Sequence, residues 1–291
     1  MHRRTKSIHC MLIERKFSLR RFLLVSVCVA GLAGAQSSYS QSSEEAKLTA
    51  ELSAELKKQF STPEQLDLIV SKSYGVSLSP EKTIVARNSL RALMFNEALP
   101  GYMARILSPV NRPGITSGER SAAILQSVSQ MQTKGLGRLS ADKQMAFLKH
   151  VIATTRFISA ADCKAIYQGK MDAATSAALE RRYIATLPLG RFEAITSLYR
   201  AAAEAELSGY PDARTINAQQ AKLAEKVFED ASVKRLVAQV PQDVIQRYIQ
   251  DSEGAAASDV CAVMATSAEG MLDMTEPYRS WQLTRFAESM Q

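Results

Sequence analysis

The chain has 291 residues, 46% of them hydrophobic and 22% charged, and its 36 lysines and arginines against 29 acidic residues give a formal net charge of +7. This composition is typical of a globular protein and excludes a disordered or fibrous chain. The low counts of 13 glycines and 9 prolines exclude a collagen-like sequence and disfavour a turn-rich all-β fold.

The first 35 residues predict a cleaved signal peptide. Seven basic residues precede an apolar stretch at 22–33, which is far shorter than the roughly 20 residues that a membrane-spanning helix needs. Ala33-Gly34-Ala35 matches the small residues that signal peptidase recognises and predicts cleavage after Ala35. Arg20-Arg21 leaves the twin-arginine export route open beside the general one. We therefore expect a periplasmic or secreted protein with no stable membrane span after cleavage.

Signal cleavage changes the charge of the protein. Residues 1–35 hold seven of the 36 basic residues and one of the 29 acidic ones, so the mature chain carries 29 and 28 and a net charge of +1. A near-neutral chain lacks the electrostatic basis for binding nucleic acid, so no nucleic-acid partner is expected. Residues 36–43 are small and polar and predict a flexible lead.

From residue 44 to 291 the chain is predicted to form one all-α domain. Thr62-Pro63 and Ser79-Pro80 each place a capping residue before a proline, as at the start of a helix. Four glycines stand where helices would end in a left-handed cap: Gly75, Gly135, Gly169 and Gly209. The segment 108–118, with two prolines and two glycines, predicts either a surface loop or a break between two subdomains.

Apolar residues recur at three- and four-residue steps between these signals, as in Val233, Leu236 and Val240. Some of the predicted helical segments can merge; they are 44–60, 63–73, 80–98, 101–107, 118–133, 141–158, 160–168, 173–186, 189–207, 216–239, 242–251, 259–272 and 277–289. Each apolar stripe needs a neighbour to cover it. The pattern therefore predicts about ten helices in a compact multi-helix bundle or orthogonal array.

Two cysteines, Cys163 and Cys261, remain after the predicted cleavage. An even pair in an exported protein is typical of a disulfide, and we expect these two residues to form one. Each also falls near the start of a predicted helix, where the helix dipole can lower the pKa of a thiol. Two buried free thiols and a reactive cysteine therefore stay as alternatives.

Residues that would carry catalysis are scarce in the mature chain. His150 is its one histidine, there is no Gly-x-Ser-x-Gly motif, and no close pair of metal ligands is present, so no metal or cofactor is expected. A glycan-cleaving site needs only one or two carboxylates in a cleft. Its candidates are Glu97, Asp162, Glu193, Glu204 and Glu269.

The predicted C-terminal helix has the most distinctive surface. Tyr278, Trp281 and Arg285 fall on one face of it, and this includes the only tryptophan of the chain. Aromatic residues and arginine are enriched in protein-binding hot spots, so this face is a candidate contact for a partner. The alternative is a terminal helix whose tryptophan docks onto the protein's own core.

These observations favour an exported helical binding protein, acting as an adaptor, an inhibitor or a neutralising partner of another envelope protein. The alternative function is a carboxylate-dependent hydrolase of cell-wall glycan. Two carboxyl groups within about 5–9.5 Å in a deep cleft would favour the hydrolase. A flat apolar and aromatic patch without such a cleft would favour binding.

Overall fold

The computed structural model of the protein describes residues 43–107 and 130–289. Every regular element in these two ranges is a helix, and no β-strand occurs in them, so the predicted all-α class is confirmed for this part of the chain. None of these helices is long and apolar enough to cross a membrane. The predicted signal peptide and most of the lead lie outside the described residues.

The helices follow the predicted segments closely. In chain order they are α1 (Ser43–Gln59), α2 (Pro63–Tyr74), α3 (Pro80–Met94), α4 (Leu99–Leu107), α5 (Ala141–Phe157), α6 (Ala160–Tyr167), α7 (Ala173–Thr186), α8 (Leu189–Ser208), α9 (Ala218–Gln239), α10 (Gln242–Gln250), α11 (Ala257–Glu269) and α12 (Tyr278–Ser289). A 3-10 helix (Gly270–Asp273) extends α11, and residues 130–136 are also helical. The prediction placed the end of α3 four residues too late and treated α11 and the 3-10 helix as one segment. The predicted break at 108–118 lies outside the described residues.

The predicted helix starts are confirmed. The side chains of Thr62 and Ser79 accept hydrogen bonds from backbone N–H groups in the first turns of α2 and α3, and a proline is the first residue of each helix. Gly75 ends α2 and Gly209 ends α8 with φ angles of 64° and 68°. These angles lie in the left-handed region, which only glycine adopts without a steric penalty. Gly169, just after α6, has a φ of 67°. Local sequence therefore decides where these helices begin and end.

The same prediction is wrong for Gly135. This residue is buried within the helical stretch 130–136 and is not among the described glycines with positive φ. A Cβ atom built on it would lie 1.7 Å from the backbone oxygen of Ala202 in α8. Gly135 is thus required for close contact between two backbones, and this contact depends on a residue that lies 67 positions away in the chain.

The described residues divide into two compact units. Unit A comprises residues 140–183 and 214–289, and unit B comprises residues 43–107, 130–139 and 184–213. In unit B, α3 packs against α2 and α8, and α1 packs against α4. One core cluster of unit B contains Leu93, Leu99, Met103, Met131 and Ala203, with leucines of α1 packed against it.

Helix α11 is the centre of unit A. It contacts α5, α6, α9 and α10, and nine of its thirteen residues are buried. The predicted apolar stripe of α9 forms a core cluster with α10 and α11, consisting of Val233, Leu236, Val240, Ile245 and Val263. Helix α12 packs against α9 and α5.

Candidate functional site

A disulfide joins Cys163 of α6 to Cys261 of α11, with 5.8 Å between the two Cα atoms. Cys163 is fully buried, and the bond closes a loop across 98 positions of the sequence. The predicted pairing is therefore present in unit A, and neither sulfur is a free thiol. The bond holds α6, which contributes Ile166 to the pocket described below, against the central helix.

The three predicted partner-binding residues lie on one side of α12. The rings of Tyr278 and Trp281 meet edge to face, with 5.5 Å between their centroids, and both side chains are only partly buried. The opposite side of the helix is buried in unit A through Leu283 and Phe286. The structure thus places an aromatic pair at the surface of a helix that its own core holds in position.

Arg285, unlike the two aromatic residues, is bound to polar groups of its own unit. Its guanidinium donates hydrogen bonds to the backbone oxygen of Ala221 in α9 and to the side-chain oxygen of Gln282, each over 3.3 Å. It also lies 3.4 Å from the carboxylate of Glu225. Arg285 therefore binds α12 to α9, and its charge already has a partner within unit A.

A second group of functional side chains surrounds His150, which is buried in α5. Its Nε2 atom lies 3.1 Å from a carboxylate oxygen of Glu180 in α7. A carboxylate can only accept, so Nε2 is the donor in this hydrogen bond. The ring of Tyr183 lies 5.6 Å from that of His150 and 5.1 Å from that of Phe157, which is 48% exposed. These four residues form a continuous row of contacts from the interior to the surface.

Sequence reasoning missed this group because it considered His150 alone. The available signal was the spacing of Glu180 and Tyr183, three residues apart and so on one face of a helix. That spacing does not show which other helix faces the pair. Only the packing of α7 against α5 brings His150 into contact with these two residues.

A small pocket lies next to Glu180. Its lining is mostly aliphatic, with two hydroxyl groups and one carboxylate: Val151, Thr154, Ile158, Ile166, Ser176, Leu179 and Glu180. Its volume is about 10 Å³, which is the room that one water molecule needs. The hydroxyl of Thr154 donates its proton to the backbone oxygen of His150 over 3.0 Å, so this hydroxyl presents an acceptor.

The five candidate carboxylates for hydrolysis are divided between the two units. Glu97 and Glu193 are exposed, and both lie in unit B. Glu204 lies 3.6 Å from Arg200 one turn away, and Asp162 accepts a hydrogen bond from the capping residue Ser159 over 2.7 Å. Glu269 is buried and lies in an ion-pair cluster that is described next. No two of the five form a pair of carboxylates facing each other among the interactions of the described residues.

The carboxylates that do lie close together in unit A form ion pairs with the same arginine. Asp243 and Asp259 each lie 2.7 Å from Arg247. The hydrogen bond from this arginine lowers the pKa of Asp243 below its usual value. A general acid in glycan cleavage needs the opposite change, a carboxyl group whose pKa is raised so that it keeps its proton. This geometry favours an ionised, structural role.

The second arginine-centred cluster contains Glu269, whose side chain is only 10% exposed. Arg235 lies 3.0 Å from Glu269 and 2.7 Å from Asp273, and Arg156 forms a further ion pair with Glu269. The hydrogen bond to Asp273 raises the pKa of Arg235, so the guanidinium stays charged. Two cations thus compensate the buried charge of Glu269, and the cluster connects the ends of α5, α9 and α11.

Groups that might hold a metal ion are also absent from the described residues, where no three His, Cys, Asp or Glu side chains converge. Comparison of the whole chain with protein-family models, with curated proteins and with solved structures gives no match.

Proposed function

We propose that this protein is exported to the periplasm and binds another protein of the cell envelope, as an adaptor, an inhibitor or a neutralising partner. In this proposal residues 1–35 are a cleaved signal peptide, and the mature helices form one compact multi-helix array. Tyr278, Trp281 and Arg285 form the contact with the partner. The mature charge of +1 that follows from cleavage is consistent with a protein partner rather than a nucleic acid.

The edge-to-face pair of Tyr278 and Trp281 carries this proposal. Aromatic residues dominate binding energy when they are held rigidly, because little side-chain entropy is lost on association. Contact between the two rings restricts both of them, and the anchoring of Arg285 to α9 holds the helix that presents them. The surface is therefore organised before any partner binds.

Glycan hydrolysis, the alternative function, has less support. The carboxylates that converge in unit A do so around Arg235 and Arg247, and each guanidinium forms ion pairs with two of them. The hydrogen bond from Arg247 also lowers the pKa of Asp243 and favours its ionised form. These positions agree better with a protein that binds than with one that needs a protonated catalytic acid.

Export is expected to remove residues 1–35. The cleavage motif ends at Ala35, so the protein recovered from the periplasm should begin at Gln36. Mass spectrometry of the intact protein from periplasmic and cytoplasmic fractions measures this directly. Recovery of the full-length chain from the cytoplasm alone would contradict the export part of the proposal. A variant with Ala33 and Ala35 replaced by leucine should accumulate uncleaved.

Replacement of Trp281 by alanine is expected to weaken partner binding at least tenfold, because truncation of an aromatic hot spot typically costs about 2 kcal/mol or more. The mature protein is immobilised and exposed to an envelope extract of the organism that produces it. Retained proteins are then quantified by mass spectrometry. A specific partner is one that the native protein retains and that the Trp281→Ala and Tyr278→Ala variants lose.

The matched control is Tyr210→Ala, which removes another aromatic side chain that is 77% exposed and lies in unit B. This variant should retain the same partner as the native protein. Circular dichroism melts verify that each variant is folded, and Trp281→Phe should keep part of the binding. Equal retention of all proteins by the native, Trp281→Ala and Tyr278→Ala forms would refute the assigned contact.

A further inference from the structure

The two cysteines of the disulfide have different surroundings. Cys163 is 0% exposed, and Ile166 and Tyr167, which follow it in α6, are buried as well. Cys261 is only partly buried in α11, and the next residue, Ala262, is exposed. In the folded protein, Cys261 is therefore the one of the two cysteines that presents surface to a reagent in solution.

Helix α6 is also attached to the chain before α11 by bonds that do not involve sulfur. The Nζ atom of Lys164 donates a hydrogen bond to the backbone oxygen of Ala255 over 2.6 Å. The side-chain nitrogen of Gln168 donates a second hydrogen bond to the backbone oxygen of Glu253 over 3.1 Å. Neither bond depends on the disulfide, so α6 is expected to stay in place when the disulfide opens. The two sulfur atoms then remain close enough to join again.

The opened form also has an acceptor for the Cys261 thiol. The Sγ atom of Cys261 lies 3.9 Å from the backbone oxygen of Thr155 in α5, within the range of a weak S–H hydrogen bond. This sulfur carries no proton in the disulfide, so the contact becomes a hydrogen bond only when the thiol forms. Reduction therefore creates no thiol proton at Cys261 that lacks an acceptor.

We propose that Cys261 is the exchange position of the disulfide, the residue at which a small aliphatic thiol forms a mixed disulfide with the folded protein. The thiolate of the small molecule attacks the Sγ atom of Cys261, a new S–S bond forms there, and the bond to Cys163 breaks. The electron pair of that bond leaves on the sulfur of Cys163, which takes up the proton that the small thiol released.

The reverse reaction restores the disulfide. The thiolate of Cys163 attacks Cys261, the native bond forms again, and the small thiol leaves with the proton. A small thiol fits this position better than the active site of another protein, because Cys261 is partly buried on a helix with nine of its thirteen residues buried. The inference does not depend on the Tyr278 and Trp281 surface, which lies on α12.

Two single variants compare the cysteines: Cys163→Ala leaves the Cys261 thiol, and Cys261→Ala leaves the Cys163 thiol. Each variant is mixed with oxidised glutathione, and mass spectrometry of the intact protein follows the addition of one glutathionyl group. The Cys261 thiol should react about tenfold faster or more, because the buried Cys163 thiol reacts only after local unfolding. In urea the two rates should become similar. Equal rates in the folded variants, whose folding circular dichroism verifies, would overturn the proposal.

The native protein provides a second test that needs no variant. It is incubated in a series of mixtures of reduced and oxidised glutathione, quenched with acid, denatured and alkylated. Peptide mapping by mass spectrometry then locates the glutathionyl group, which should lie on Cys261, with the alkyl group on Cys163. A glutathionyl group on Cys163 alone, or on neither cysteine in any mixture, would overturn the proposal.

Lys164→Met tests whether the attachment of α6 keeps the two sulfur atoms together after opening. It removes the Nζ donor at nearly constant side-chain length, so α6 moves more freely in the opened form and Cys163 has a lower effective concentration. The ratio of mixed to closed disulfide should therefore rise about fivefold. The matched control is Lys170→Met, the same change at an exposed lysine after α6, which should leave this ratio unchanged. Equal ratios in the two variants would contradict the assigned attachment.

Discussion

Replacement of both Cys163 and Cys261 by alanine is expected to lower the free energy of unfolding by about 4–5 kcal/mol. The disulfide closes a loop across 98 sequence positions, and in the chain-entropy model a loop of about this length restricts the unfolded chain by that amount. The folded variant forms no new contact that would compensate for the lost bond, because Cys163 is fully buried where α6 packs against α11. The effect is a large fraction of the stability of an ordinary domain.

Urea unfolding of the native and double-alanine proteins, followed by circular dichroism, measures this difference. A reducing agent provides the internal control: it should destabilise the native protein by a similar amount and leave the variant unchanged. Thiol titration of the denatured, unreduced native protein should find no free thiol. A difference in the free energy of unfolding below about 1 kcal/mol would contradict this account. A native protein whose stability the reducing agent does not change would contradict it as well.

Replacement of Gly135 by alanine is expected to destabilise unit B by about 3 kcal/mol or more. The added Cβ would lie 1.7 Å from the backbone oxygen of Ala202, and a backbone atom cannot move aside as a side chain can. One of the two helices must therefore shift, which disrupts the packing around the buried Met131 and Ala203. Overpacking of a well-filled core costs about 1–3 kcal/mol, and contact with the backbone places this case at or above that range.

The matched control is Gly190→Ala in the first turn of α8. A Cβ atom at this position has nothing within 4 Å, and the residue is helical, so alanine should stabilise the protein by about 0.5 kcal/mol. Thermal melts of the two variants beside the native protein give the comparison. A Gly135→Ala variant that is as stable as Gly190→Ala would show that the two helices do not approach as closely as described.

The sequence alone predicts the helices of this protein well, because their signals are local. Thr62 and Ser79 cap their helices through residues three positions away, and Gly75 ends α2 through its own φ angle. The spacing of apolar residues is also a local feature, and it identifies the buried side of a helix, as Leu236 and Val240 illustrate. Such signals are complete within a few residues, so no partner helix has to be known.

The sequence also determines how the charge is divided along the chain. Most of the formal excess of +7 lies in residues 1–35, and the remainder carries +1. The interpretation of that division as export stays a prediction. The pairing of Cys163 with Cys261 was predictable as well, because the number of cysteines after the predicted cleavage left few alternatives.

Tertiary structure decides the features that depend on residues far apart. Gly135 resembles a helix cap in the sequence, yet its role is set by Ala202. His150 appears isolated in the sequence, and only the packing of α5 against α7 brings it to Glu180. A sequence pattern reports which side of a helix is apolar but not which helix covers it. Local interactions therefore specify the helices, whereas the groups capable of chemistry arise from contacts between helices.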